Sequence, residues 1–124
     1  MINIVYVFVG GGLGSVARYL LSGTVYRWID SIFPYGTLVV NTIGCFLIGL
    51  VMAGFSDRFA LNPSTRIFLT IGLLGGFTTF SSFSFETIAL LRDGELFPAA
   101  VNIAGSLITC LAATYAGTLI GKSI

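Results

Sequence analysis

The chain has 124 residues, of which 56% are hydrophobic and only 9% charged, where a soluble domain carries roughly 25% charged residues. Six basic and five acidic side chains cannot coat a small globule, whose surface-to-volume ratio is high. This argues against a free cytosolic enzyme, the net charge of +1 carries no electrostatic footprint for nucleic acid, and the mean hydropathy of +0.99 points to a lipid bilayer.

The charges fall in clumps and leave four charge-free runs, at 1–17, 31–56, 67–85 and 96–121. Four spans of roughly 20 residues each use about 80 residues and leave about 44 for loops and ends. The chain is therefore read as an all-α integral membrane protein with one four-helix transmembrane domain over 1–124. The first run lacks the basic flank and the clear A-x-A site of a signal peptide.

The first helix is expected over 3–25. Residues 12–17 fit G-x-G-x-x-A, Val5 to Val9 could pass for a strand, and Asp30 sits where a ribose-binding acid could lie. No βαβ pattern follows, so the dinucleotide reading is set aside. Gly10 and Gly14, four apart with Arg18 next on the same ridge, read instead as a surface for close helix packing.

Pro34 opens a second helix over 36–55, since proline suits a first turn. Thr37, Asn41 and Cys45 recur along it every four residues. Pro63 opens a third helix over 65–91. Paired Gly75 and Gly76, followed by β-branched Thr78 and Thr79, disfavour helix, which places a break near 75–78, at mid-membrane. The alternative is an intact helix whose glycines form a packing face. Beyond the break, Phe80, Phe83, Ser84 and Thr87 share one helical face, while Thr79, Ser82 and Glu86 occupy another. The fourth helix runs over 98–121 from Pro98, with Asn102, Ser106 and Thr109 on one face and Cys110 at its edge. Residues 27–33, 56–62 and 92–95 connect the spans.

The chain has no histidine and two cysteines. Cys45 and Cys110 both fall mid-span and read as small apolar packing residues. No base is available to activate a serine and no zinc ligand set exists, so catalysis is not expected. Two intramembrane asparagines and hydroxyl rows on three helices read better as a pathway lining than as interhelical glue alone. Such a path offers N–H and O–H donors, the positive edges of aromatic rings and carbonyls at the break, with no central cation. These groups suit a small hard anion held weakly enough to leave, and Arg18 could draw anions to a vestibule.

Orientation rests on the basic residues. Arg58, Arg66 and Lys122 fall on one side of a four-span chain, and Arg18, Arg27 and Arg92 on the other, so no positive-inside bias exists. Either a few residues count unequally and one orientation wins, or the chain inserts both ways and pairs as an antiparallel homodimer.

Residues 36–41 (G-T-L-V-V-N), followed by G-x-x-G-G-x-T-T-F-S-x-F-S-x-E-T over 72–87, resemble the Fluc/CrcB family of bacterial fluoride channels. Length, four spans and the arginine-bearing glycine helix agree with that family over nearly the whole chain. The resemblance implies an antiparallel, dual-topology homodimer in the bacterial cytoplasmic (inner) membrane, with two pores that export fluoride passively and protect the cell from it. It implies Phe80 and Phe83 as pore phenylalanines from opposite subunits, Asn41 as the pore asparagine, and Thr37, Ser82 and Ser106 as hydroxyls along the route. Arg18 matches a vestibule arginine and Glu86 an acidic position. Gly75 and Thr78 match positions whose backbone carbonyls hold a structural Na⁺ at the dimer centre. Carbonyls freed by a helix break are hard ligands suited to such an ion. A fourth-helix position often aromatic in the family is Asn102 here, and Cys110 stands where a relative has serine. Two rival readings are a dual-topology, proton-coupled drug or cation antiporter using Glu86 and a structural subunit without transport.

Overall fold

The computed structural model describes residues 1–57 and 61–124; Arg58, one of the six residues in the charge balance, lies outside the described residues. Helix α1 spans Ile2–Trp28 and α2 spans Tyr35–Asp57. The third span is composite: α3 over Pro63–Ile67, a π-helical stretch over Phe68–Leu74, α4 over Gly75–Phe77, then α5 over Phe80–Arg92. Helix α6 covers Leu96–Ser123. All four spans are long and apolar enough to cross a bilayer.

The helices begin and end a few residues beyond the expected bounds. Pro34 precedes the first residue of α2, and its carbonyl accepts the Leu38 N–H at 3.2 Å. Asn62 caps α3 through its side chain, which accepts the Ser64 N–H at 2.9 Å, satisfying a donor that has no partner inside the helix. Pro98 lies in the first turn of α6, where its missing N–H leaves no gap. Arg18 stands well inside α1, which continues for roughly 15 Å beyond it.

The break in the third span falls at Thr78 and Thr79, not at the glycine pair. Gly75 has helical angles (φ −63°, ψ −38°), whereas Thr78 (φ −84°, ψ 156°) and Thr79 (φ −149°, ψ 118°) are extended. The glycines serve contact rather than a bend: a Cβ on Gly76 would lie 3.0 Å from the Gly11 Cα. The break also separates two sets of neighbours. The π-helical stretch and α4 pack on α1 and α2, whereas α5 packs on α6 and α2. One unbroken helix would have to keep a single line between those neighbours.

Glycine makes both major helix contacts possible. Gly10 and Gly14 are the buried residues of α1, and a Cβ on Gly10 would meet the Phe68 carbonyl oxygen at 2.8 Å. This is the close packing expected of that ridge. In the α2–α6 pair, a Cβ on Gly49 would strike the Thr114 carbonyl, and one on Gly117 would strike that of Phe46. Just past the end of α5, Gly94 is left-handed (φ 76°), with Glu95 N–H donating to Leu90 O at 2.9 Å and Gly94 N–H to Leu91 O at 3.2 Å. This left-handed cap turns the chain directly into α6.

The apolar core is small, comprising Val40, Leu74, Phe77, Leu90 and Ala99, while Phe8, Trp28 and Phe97 are among many large side chains left on the outside. Such a surface would be untenable in water and is the expected one against lipid tails.

Candidate functional site

Two cavities flank the break. The larger, about 370 Å³, lies against α2, the third span and α6; Asn41, Phe80, Phe83, Ser106, Gly75 and Thr78 all line it. The smaller, about 260 Å³, lies against α1, α2 and α5, and Arg18, Thr37, Ser82 and Glu86 line it. The expected site residues therefore divide into an aromatic, largely apolar group and a polar group. Thr79 lines both cavities.

Thr79 is held from two sides. Its hydroxyl accepts the Ser82 N–H at 3.1 Å, capping α5. Asn41 on α2 replaces the lost helical partners: its Nδ2 donates to Thr79 O at 2.9 Å, and its Oδ1 accepts the Thr79 N–H at 2.8 Å. A broken backbone inside a membrane is tolerated when its polar groups are satisfied by neighbours. Asn41 satisfies both groups of one residue and retains a second amide hydrogen. The same exchange frees two carbonyls. The Thr79 N–H that a continuous helix would aim at Gly75 O goes to Asn41, and the Ser82 N–H that would reach Thr78 O goes to Thr79.

In the larger cavity Phe80 and Phe83 lie one turn apart on α5, with ring centroids 5.3 Å apart and planes inclined by 42°. Phe83 is half-buried, and Phe80 is 75% exposed, so one face of the aromatic pair is open. Cys45 and Cys110 also line this cavity.

The smaller cavity concentrates charge and hydroxyls. The Thr37 hydroxyl donates to Glu86 Oε1 at 2.7 Å. Glu86 Oε2 and Arg18 Nε are both buried without a hydrogen-bond partner among the described residues. Ser15, Tyr19, Ser22 and Tyr26 complete the wall from α1. Sequence reading missed this wall, although its spacing (15, 18, 19, 22, 26) is a helical stripe. A second missed feature is the Thr42–Thr109 hydroxyl contact at 3.3 Å, which ties α2 to α6.

A family model described as CrcB-like protein, Camphor Resistance (CrcB), matches residues 5–118. Among the similar proteins are three named fluoride-specific ion channel FluC. That of Geobacter metallireducens is 53% identical over 125 residues, that of Geotalea uraniireducens 51% over 125 residues, and that of Geobacter sulfurreducens 48% over 124 residues. In each comparison the match covers 100% of both chains.

Proposed function

Because this chain belongs to the CrcB family, we propose that it is a fluoride-selective channel through which the ion leaves the cell passively. It is a multi-pass protein of the bacterial cytoplasmic membrane. The observation that carries the reading is the capped break at Thr78–Thr79, set between a cavity lined by Phe80 and Phe83 and a cavity lined by hydroxyls, Arg18 and Glu86. Fluoride is small and strongly hydrated, so a path must replace its water with donors at each point. Arg18 Nε, Ser82 and the Tyr19 and Tyr26 hydroxyls of α1 serve at the polar end. Ring edges of Phe80 and Phe83 and the spare Asn41 N–H serve at the other, where Ser106 lines the wall. Thr37 lines the route as the partner of Glu86. No Lys or Arg is among the described residues that line the aromatic cavity, so the ion is bound weakly enough to move on.

The working unit is an antiparallel homodimer inserted in both orientations, with Phe80 and Phe83 contributed from opposite subunits. The open face of Phe80 and the even division of basic residues support this. Tags on both termini should be found on both membrane faces; confinement to one face would refute it. At the dimer centre, the carbonyls of Gly75 and Thr78 would hold a Na⁺. Their loss of helical donors supports this, and a monovalent hard cation there would offset the charge of fluoride in a low-dielectric site. Dimers that assemble and conduct after exhaustive removal of Na⁺ would count against it. The relatives give no support to an antiporter built on Glu86.

The direct test uses liposomes holding the purified protein and loaded with fluoride or chloride. Fluoride should appear outside, at an ion-selective electrode, without an imposed proton gradient, while chloride is retained. Retention of both ions would overturn the channel reading.

A further inference from the structure

Asn102 is 1% exposed, the most buried polar side chain among the described residues. A carboxamide at this depth on a membrane helix needs partners on its donor and acceptor sides. It has both: Nδ2 donates to Thr87 Oγ1 at 2.9 Å, and Oδ1 accepts the Ser106 hydroxyl at 3.3 Å. The Thr87 hydroxyl donates onward to Phe83 O at 2.7 Å. All three donations can be made at once, because Thr87 accepts on its oxygen while giving its own proton away.

The two ends of this line, Ser106 and Phe83, face the aromatic cavity, and the two middle members do not line it. Helix α5 has no helical ladder to α4 across the break. Its rotation about its own axis is set by what it touches, which is α6 and α2. On α6 the polar contact is Asn102. A turn of α5 that broke the Asn102–Thr87 bond would also swing the Phe83 ring and change the group on which Ser106 spends its only proton.

We propose that Asn102 is a positioning residue of the fluoride path: it does not contact the ion, and it sets the Phe83 ring and the Ser106 hydroxyl together through the line Ser106–Asn102–Thr87–Phe83. This rests on the channel reading of the aromatic cavity. The structure thus gives Asn102 a different task from that of a lining residue, although it shares a helical face with Ser106.

The test uses the full chain in liposomes, with fluoride and chloride efflux and thermal unfolding measured on each variant. Asn102→Leu and Thr87→Val remove the two middle members at nearly constant volume. Each should slow fluoride about tenfold, equivalent to roughly 1.4 kcal/mol, and lower the fluoride-to-chloride rate ratio. The double variant should be no slower than the slower single one, because both break the same line. Thr87→Ser, which keeps the hydroxyl, should restore rate and ratio. Should Asn102→Leu fail to assemble, the Thr87→Val and Thr87→Ser pair decides alone. The proposal is overturned by variants with normal rate and ratio, by effects that multiply in the double variant, or by lowered thermal stability with an unchanged ratio. A wild-type protein that passes no fluoride would overturn the channel reading itself, an outcome distinct from a conducting wild type with indifferent variants.

Discussion

Replacing Asn41 by leucine keeps the approximate volume and removes both bonds that brace the break. Thr79 would then lose a donor to its carbonyl and an acceptor for its N–H, bonds now 2.9 and 2.8 Å long. An orphaned buried polar group costs about 1–3 kcal/mol, which gives roughly 2–6 kcal/mol for the pair. Measured hydrogen bonds between membrane helices average about 0.6 kcal/mol, with a maximum near 1.7. The adjoining cavity of about 370 Å³ can also admit water to the freed groups, which lowers the cost further. The expected loss is therefore about 2–3 kcal/mol, a shift of roughly 30- to 150-fold in the unfolding equilibrium. Unfolding in mixed micelles would measure it, and hydrogen exchange at the Thr79 amide would report the local effect. Unfolding within about 0.5 kcal/mol of the wild type, together with a Thr79 amide still protected, would refute the bracing role.

Phe80→Ile and Phe83→Ile keep apolar bulk and remove the ring edge, so each should abolish fluoride efflux from liposomes while the protein still assembles, as judged by gel filtration. Gly117→Val would drive a branched side chain into the Phe46 carbonyl and should destabilise the α2–α6 pair by about 1–3 kcal/mol, read as a lower unfolding temperature. Arg18→Gln should slow fluoride entry and remove most of its dependence on ionic strength, since the steering charge is gone; efflux rates at low and high salt would show this.

Four spans were legible from where the charges are not, and the starts of three from Pro34, Pro63 and Pro98, because both signals are local. The break was legible to within residues 75–78, but its exact place, at the threonines and not the glycines, was not. Paired glycines carry a poor helix propensity, yet here Gly75 and Gly76 remain helical because α1 approaches too closely for a side chain at Gly76. Thr79 breaks instead because Asn41, 38 residues earlier, offers its backbone a substitute for the helical ladder. No window of sequence contains both partners. The π-helical stretch was not foreseen either. Asn41, Phe80, Phe83 and Ser106 share one cavity as their faces suggested. The division from Arg18, Thr37 and Ser82 became visible only in the fold, where these three line a separate cavity with α1. The stripe of Ser15, Tyr19, Ser22 and Tyr26 could have been read from spacing alone.

The α2–α6 pairing has a consequence for biosynthesis. It is the broadest helix contact among the described residues, and its second member leaves the ribosome after the other three spans. Until residues 96–123 emerge, the grooves at Gly49 and Gly54 on α2 have only lipid against them. Nothing occupies the side of α5 that will meet Asn102. A nascent chain stalled before α6 therefore has three inserted helices held mainly by the α1 glycine ridge. Such a chain presents unfilled backbone grooves to membrane proteases and insertion chaperones, and arrival of the fourth helix is the step that closes them.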